Sequence, residues 1–458
     1  MKEHIEAINR IMPTAKKIHF IGAGGISVSS LAALTKKAGY EVTGSDRTPS
    51  ALTSRLESDG IPIVYGHFPE SVHGADLVIY TAAVRGGNPE LEEAVRLGIP
   101  CFTRAEYLGW LMSGYKYRIG VAGCHGKSTV TAMISEIMIA SGLEPTVVCG
   151  AEVRELGGMA YRSGKGEGFV FEACEYCDSF LSFLPTVSVI TNVEFDHPDY
   201  FKDMSMLRNS YAEYASIGNT VVYNADDPES LRVISSVPDR VRKNSFGLGN
   251  ADYSAAGIRT EGASSSFTLL RRGEPVAEVR LSIPGLYNVY NAVAASAAAL
   301  ESGASPEAVT AAMKDFRGVV RRFEYLGTTK RGAVVYDDYA HHPTELRSVI
   351  GAAKKLGKRL VCMFQPHTYS RTASLFDDFV GALSGADVAL LVDIYAARES
   401  NEWGVSSEQL AGAVPGGKYV GSVASSARYA AENYGEGDLI LILGAGDIIA
   451  AGKMIFDY

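Results

Sequence analysis

The sequence predicts an α/β protein built from three successive open-sheet units, and three observations carry that prediction. A strand, a glycine turn and a helix open the chain at Ile18–Leu34, and a second strand at Tyr40–Ser45 completes a βαβ unit ending on Asp46. The same order of strand, glycine loop and helix recurs at Ile119–Ile134. Beyond Phe316, apolar runs at Ala333–Tyr336, Leu360–Met363, Val388–Leu391 and Leu439–Ile442 alternate with helical stretches, the spacing of another open α/β domain. With 458 residues the chain exceeds what one core can organise and calls for two to four domains.

Composition narrows the function classes. The chain is 47% hydrophobic and 21% charged, an ordinary globular balance, and its formal charge of −9 argues against a nucleic-acid binder relying on a basic face. Anionic ligands must therefore be met by glycine loops and a few Arg or Lys. Met1-Lys2-Glu3-His4-Ile5-Glu6 lacks the apolar stretch of a signal peptide, and Leu439–Ala451 is interrupted by Asp447 and too short to span a bilayer. These features predict a cytoplasmic protein with no membrane partner. Six scattered cysteines read as reduced thiols, and Cys174-x-x-Cys177 has no second pair to complete a metal site.

In the first unit, Gly22-Ala23-Gly24-Gly25 follows the strand Ile18–Ile21, and Asp46 sits where a ribose hydroxyl would be read. Ser27 replaces the third glycine of the dinucleotide fingerprint, so the turn suits any ligand with a diphosphate and a ribose; NAD is the default guess and a dehydrogenase the corresponding activity. Asp76–Thr81, a helix from Asn88-Pro89-Glu90 and Ile99–Phe102 continue the pattern, which breaks near residues 112–117.

The second unit begins at Gly123-Cys124-His125-Gly126-Lys127-Ser128-Thr129. Backbone N–H groups and the helix start would face phosphate oxygens, Lys127 would add a point charge, and Ser128 could ligate magnesium. Two residues separate the glycines instead of the usual four. Gly168–Phe171 runs into Glu172, and Val187–Ile190 runs into Thr191-Asn192 and Asp196-His197, so both strands deliver polar groups at the carboxyl end, where open sheets bind ligands. Glu172 suits magnesium, an oxygen-seeking ion, better than His197 does. Residues 250–283 read as an antiparallel excursion before an Ala-rich helix near Asn288. In the third unit the densest polar cluster is Tyr336-Asp337-Asp338-Tyr339-Ala340-His341-His342-Pro343-Thr344-Glu345, able to meet metal, ribose or an amine, with Arg321, Arg322 and Arg371 available to screen charge.

Ile18–Leu31, Gly123–Ser128, Thr191-Asn192 with Asp196-His197, Gly318–Phe323, Asp337–Glu345, Phe364–His367 with Ser370-Arg371-Thr372, and Gly444–Asp447, in this order, resemble the Mur ligases, the ATP-dependent amide-forming enzymes of peptidoglycan precursor synthesis. The resemblance spans nearly the whole chain and accounts for the short loop, since that family uses G-x-x-G-K-[ST]. It implies three domains: a Rossmann-like domain for a UDP-sugar over residues 1–114, a central P-loop ATPase-type α/β domain over 115–315, and a C-terminal Rossmann-like domain over 316–458 that closes over ATP and the amino acid.

Residue by residue, the resemblance puts Gly22, Ala23, Gly24, Gly25 and Asp46 on the UDP portion, with His67 and Thr81 nearby. It puts Gly123 to Thr129 on ATP, with Lys127 on the β/γ-phosphates, Asn288 and Asn291 at adenine, and Asp338 and Arg322 toward the nucleotide. Ser128 and Glu172 would hold magnesium and His197 a second ion, with manganese as the alternative metal. Tyr339, His341 and Arg371 would surround the incoming amino acid, His341 being the group nearest its amine proton. Four departures qualify the match. Cys174 stands where many members have Asp, Tyr287 where His precedes the adenine-site Asn, and Thr368 where many have Arg. No lysine lies between Lys202 and Lys243, unlike branches with a carbamylated lysine there.

The implied reaction joins L-alanine to the lactyl carboxylate of UDP-N-acetylmuramate: the carboxylate attacks the γ-phosphate of ATP, and the amine then displaces phosphate from the acyl phosphate. Lys127, Glu172, His197, His341 and Arg371 are the expected catalytic set. A murein tripeptide-recycling ligase of the same family and a non-catalytic nucleotide-binding regulator are the competing readings. Oligomeric state is not legible.

Overall fold

The computed structural model describes residues 2–81, 84, 86–198, 200–261, 264–397 and 399–458. Its elements start and stop where the local chemistry directs. Asn88 caps the helix Pro89–Arg96 by accepting from the amides of Glu90 and Leu91. Thr103 and Glu106 form a reciprocal capping box for Arg104–Ser113, and Ser305 caps Pro306–Asp315 ahead of a first-turn proline. His342 caps Pro343–Lys354, with Glu345 completing the box.

Three sheets result. In the first, β1 (Lys17–Ile21), β2 (Glu41–Asp46), β3 (Ile63–Tyr65), β4 (Leu77–Tyr80) and β5 (Cys101–Thr103) lie parallel in the order β3-β2-β1-β4-β5. The order reverses beside β1, so the glycine turn leaves the sheet at the switch point where such sheets bind ligands.

The second sheet has ten strands in the order β15-β14-β13-β12-β11-β10-β6-β9-β7-β8. They are β6 (Tyr117–Ala122), β7 (Thr146–Val153), β8 (Met159–Arg162), β9 (Gly168–Glu172), β10 (Val187–Ile190), β11 (Thr220–Asn224), β12 (Arg242–Gly247), β13 (Tyr253–Glu261), β14 (Ser264–Arg271) and β15 (Glu274–Leu281). The strands from β12 to β7 are parallel, and β13, β14 and β15 form the antiparallel excursion expected from the sequence. Helices Lys127–Ala140 and Leu286–Glu301 pack together over this sheet, the second through a run of buried alanines that permits close approach. Gly120 lies against the Tyr214 hydroxyl and the Phe171 ring; a Cβ there would stand 2.2 Å from the phenol oxygen.

The third sheet orders β16 (Glu324–Thr328), β17 (Val334–Asp338), β18 (Arg359–Phe364), β19 (Val388–Val392), β20 (Gly417–Gly421) and β21 (Asp438–Leu443) as β16-β17-β21-β18-β19-β20. Only the β16–β17 pair is antiparallel. Every residue of β21 is buried, as a central strand covered on both faces requires. The expected three-part α/β architecture is thus the one adopted.

The sheets are joined by packing as well as by chain. The first-domain helix Ile26–Lys37 lies against β7 and β8, covering the outer edge of the central sheet. Arg154 ion-pairs with Glu324 at 2.5 Å, and Val153 bridges to Val319.

Candidate active site

The loop after β6 owes its shape to two glycines. Gly123 has φ +135°, and a Cβ there would sit 2.0 Å from Thr191 Oγ1; Gly126 has φ +82°, and a Cβ there would sit 2.6 Å from Asn291 Oδ1. Both positions thus exclude side chains, for conformational and steric reasons alike. The strand end after β10 holds the loop: Asn192 Oδ1 accepts from the His125 amide at 2.9 Å, and Thr191 Oγ1 donates to the His125 carbonyl at 2.6 Å.

Lys127 begins the following helix and reaches back. Its Nζ is 2.5 Å from the Gly123 carbonyl and 3.1–3.2 Å from both oxygens of Glu175, a carboxylate only 1% exposed. Burial opposes the Glu175 charge, but Lys127 and His197 outweigh it and hold the carboxyl at about 2. Glu175 belongs to no motif in the sequence; its importance shows only when the fold brings it to the loop lysine.

Glu172 ends β9 with its Oε2 accepting from Ser128 Oγ at 2.7 Å and from the Gly150 amide at 2.8 Å. Gly150 makes this possible, since a Cβ there would meet the carboxylate at 2.5 Å. A hydroxyl and a carboxylate converging at a phosphate loop are the hard oxygen donors that magnesium takes, so these residues fit the ion that the sequence implies. His197 stands in the left-handed region at φ +56°, its Nε2 3.7 Å from Glu175 Oε1. Arg104, which sequence reading passed over, is half-buried at the start of its helix, donates to Ser27 Oγ at 3.1 Å and feels the field of Glu172. It links the first domain's glycine turn to the central carboxylates.

Beside the loop lies a cavity of about 570 Å³, lined by Gly126, Asn192, Asn288, Asn291, Arg322 and Asp338 among others. Asn288 and Asn291 are buried one helical turn apart, Asn291 Nδ2 donating to Asn288 Oδ1 at 3.1 Å. Asp338, at the end of β17, accepts from the amides of Phe323 and Ala340, both at 2.7 Å, while burial pushes its carboxyl up to about 6. Tyr287 also faces this cavity, although no role was expected for it. The guanidinium groups of Arg321 and Arg322 lie 5.1 and 5.2 Å from the Tyr339 ring centre.

The third-domain groups meet the central domain at one place. Arg371, 5% exposed, donates through Nε and Nη2 to Asp196 Oδ1 at 3.1 and 2.7 Å, and through Nη1 to His367 Nδ1 at 3.1 Å. Burial opposes the Asp196 charge, yet Arg371 and His197 keep it well below the usual carboxylate range. His341 is neutral, held at about 3 by burial. Its Nδ1 lies 3.1 Å from the Tyr339 carbonyl, which can only accept, so the proton sits on Nδ1 and Nε2 keeps its lone pair.

In the first domain, Gly22 and Ala23 donate to the Ser45 carbonyl, each at 2.9 Å, and Gly24 donates to Asp46 Oδ2 at 2.7 Å. Gly25 precedes the helix, and Thr81 packs on Gly22, where a Cβ would meet its methyl at 2.6 Å. His67 Nδ1 is 3.3 Å from Glu90 Oε2, and the wholly buried Glu90 also accepts from Ser45 Oγ at 2.6 Å. The residues expected on the UDP portion therefore lie at the end of the first sheet, and those expected on ATP surround the central loop.

Fold and site together define an α/β protein with a phosphate loop, oxygen donors for a divalent ion beside it, and a third domain pressed over the loop. Three family models match in succession: the Mur ligase family catalytic domain over residues 17–116, the Mur ligase middle domain over 121–299, and the Mur ligase glutamate ligase domain over 321–446. The chain belongs to the Mur ligase family. It is 42% identical to a UDP-N-acetylmuramate–L-alanine ligase of Agathobacter rectalis, over 95% of this chain and 96% of the relative. It is 43% identical to the protein of that name from Caldanaerobacter subterraneus, over 96% and 97%. Among solved structures, a UDP-N-acetylmuramate–alanine ligase from Thermotoga maritima superposes with a TM-score of 0.83 at 28% identity, covering 96% of this chain and 98% of that one.

Proposed function

We propose that this chain uses ATP to join L-alanine to the lactyl carboxylate of UDP-N-acetylmuramate, in the cytoplasm, as a step of peptidoglycan precursor synthesis. The observation that carries the reading is likeness at about 40% identity, over more than nine-tenths of both chains, to enzymes bearing that name. The intact loop lysine and strand-end carboxylates support it. So do six free thiols, as expected of a reducing compartment, and among the described residues no helix is long and apolar enough to cross a membrane.

In this reading residues 1–114 hold the UDP-sugar on the turn at Gly22–Gly25, with Asp46 reading a hydroxyl and His67 and Thr81 beside it. Residues 115–315 hold ATP on the loop, with Asn288 and Asn291 at the base, and residues 316–458 bring Asp338, Arg322 and the amino-acid pocket. Ser128 and Glu172 hold magnesium, and His197 stands where a second ion is served. A bound divalent ion there screens charge on the phosphate oxygens and orients them.

The chain's own groups do the rest. Lys127 leaves part of its contact with Glu175 to meet the β/γ-phosphates, Arg322 faces the same charge, and the lactyl carboxylate attacks the γ-phosphorus to give the acyl phosphate and ADP. The amine of L-alanine then adds to the acyl carbon and phosphate leaves. His341 Nε2, unprotonated because the ring proton is on Nδ1, is the group that meets the amine proton. Arg371 and Tyr339 flank the amino acid, Arg371 exchanging part of its ion pair with Asp196 for the substrate carboxylate.

Phosphate release with Mg-ATP and UDP-N-acetylmuramate, measured across amino acids and murein peptides, tests this. Dependence on L-alanine is expected. Release only with tripeptide would move the chain to the recycling branch, and no release with any amine would leave a nucleotide-binding regulator. Oxidation or reduction of a nicotinamide cofactor would revive the dehydrogenase reading.

A further inference from the structure

His125 has its backbone occupied and its side chain assigned to nothing. Its amide and carbonyl are taken by Asn192 and Thr191, which already fix the loop. The imidazole instead points between two domains. Nε2 is 2.8 Å from Oε2 of Glu194, which belongs to the central domain, and Nδ1 is 3.2 Å from Oε1 of Glu345, which belongs to the closing domain. Nε2 is hydrogen-bonded to Glu194, while Nδ1 faces Glu345 at ion-pair distance without a hydrogen bond to it, so the ring lies between two carboxylates whose field favours the imidazolium. Burial opposes that charge, but the two carboxylates prevail and raise the group to about 9.

The neighbours complete the picture. Thr344 Oγ1, from the closing domain, donates to Glu194 Oε1, and the His342 ring lies 5.1 Å from that of His125. His342 Nδ1 is 3.7 Å from Glu194 Oε2, but burial keeps this ring neutral and Nδ1 accepts the Thr344 amide at 3.4 Å as the helix cap. Arg322 Nη1 is 3.6 Å from Glu345 Oε1. His125, Glu194 and His342 place donor atoms within 4.8 Å of one another. A metal there would displace the His125 proton and strip His342 from its cap. One shared cation between two domains suits the geometry better.

We propose that His125 is a positioning residue whose imidazolium, clasped by Glu194 and Glu345, ties the shape of the phosphate loop to closure of the C-terminal domain. The inference rests on the ligase reading above. Closure brings Glu345 and Thr344 onto a loop side chain two residues from Lys127, so that side chain is held from both domains only when the lid is down. By reciprocity, nucleotide on the loop favours the closed lid by the same factor. Glutamine is the right probe at either acid: it keeps an acceptor for Thr344 or for the amides of His341 and His342, which Glu345 Oε2 receives at 3.0 and 3.3 Å, and removes only the charge.

The test uses the full chain with donor and acceptor dyes on the central and C-terminal domains, together with steady-state kinetics for H125Q, E345Q and the double variant. Each single change is expected to lower the closed fraction at a given AMP-PNP concentration and to raise KM for ATP about tenfold, with kcat changed far less. The double variant should lose less than the sum of the two singles, because both remove the His125–Glu345 contact. Strictly additive losses, or singles that lower the melting temperature while leaving closure and KM unmoved, would overturn the proposal. Wild-type turnover with L-alanine separates the outcomes: its absence condemns the ligase reading, whereas normal wild-type turnover with additive variants condemns only the clasp.

Discussion

The turn at Gly22–Gly25 and the loop at Gly123–Gly126 share a plan, a parallel strand passing through glycines into a helix start, and differ in what surrounds it. The first is self-contained: three of its amides are spent on Ser45 and Asp46, and the group at its mouth is an acid. The second carries a lysine, faces the paired acids Glu172 and Glu175, and is covered by residues more than two hundred positions away. Glycine decides how closely a diphosphate can approach. The flanking charge decides whether a ligand is merely held or is made to react, and only the reacting loop is under a lid.

The sharpest way to break this comparison is to remove the lysine that the first turn lacks. Lys127→Ala should lower turnover by about 10³-fold while leaving UDP-N-acetylmuramate affinity, read by calorimetry, unaltered. It should also cost about 3 kcal/mol of stability, because Glu175 is left buried without its partner. The double change K127A/E175Q should recover the melting temperature but not the turnover. Recovery of both would show that the lysine is structural and the two loops alike.

Glu172→Gln comes next, with an expected loss of about 10²-fold in kcat and a higher magnesium requirement, read by metal titration of initial rates. An unchanged requirement would place the ion elsewhere. Asp46→Ala probes the other turn and should weaken UDP-sugar affinity about tenfold, or about 1.4 kcal/mol, with ATP affinity constant. Equal losses for both ligands would erase the distinction between holding and reacting.

The smallest effect is one of pH. His125 is raised to about 9 from an ordinary 6.5, so the closure it supports is complete below about 6.5 and lost as pH rises through about 9. KM for ATP should accordingly climb several-fold between neutral pH and pH ~9.5 in the wild type and stay flat in H125Q.

What the sequence revealed depended on the range over which each signal acts. The loop, the Ala-rich helix and the 250–283 excursion were legible because glycine spacing and periodicity are local. The cap of helix Pro343–Lys354 is His342, whose ring reaches the Thr344 amide, a contact that depends on ring orientation and so needs the fold. Glu175 lay in plain view beside Glu172, yet its role needs a lysine 48 positions earlier. Arg104 carried no motif; helix capping by Thr103 and the field of Glu172 give it meaning, and both require the fold. Strands such as β3, only three residues long, offer too little alternation to be read.

The packing of helix Ile26–Lys37 on β7 and β8 bears on how this chain can be dissected. An outer strand presents unpaired amides and carbonyls to any chain that will pair with them. At the opposite margin β15 discourages this with Pro275, Glu274, Glu278 and Arg280. The β8 margin, Met159-Ala160-Tyr161-Arg162, has little such protection and shelters beneath the first domain. A fragment trimmed to the ATP-binding portion would bare that margin and tend toward self-association, so the nucleotide chemistry of this protein is best isolated by silencing its neighbours with point changes, leaving the polypeptide whole.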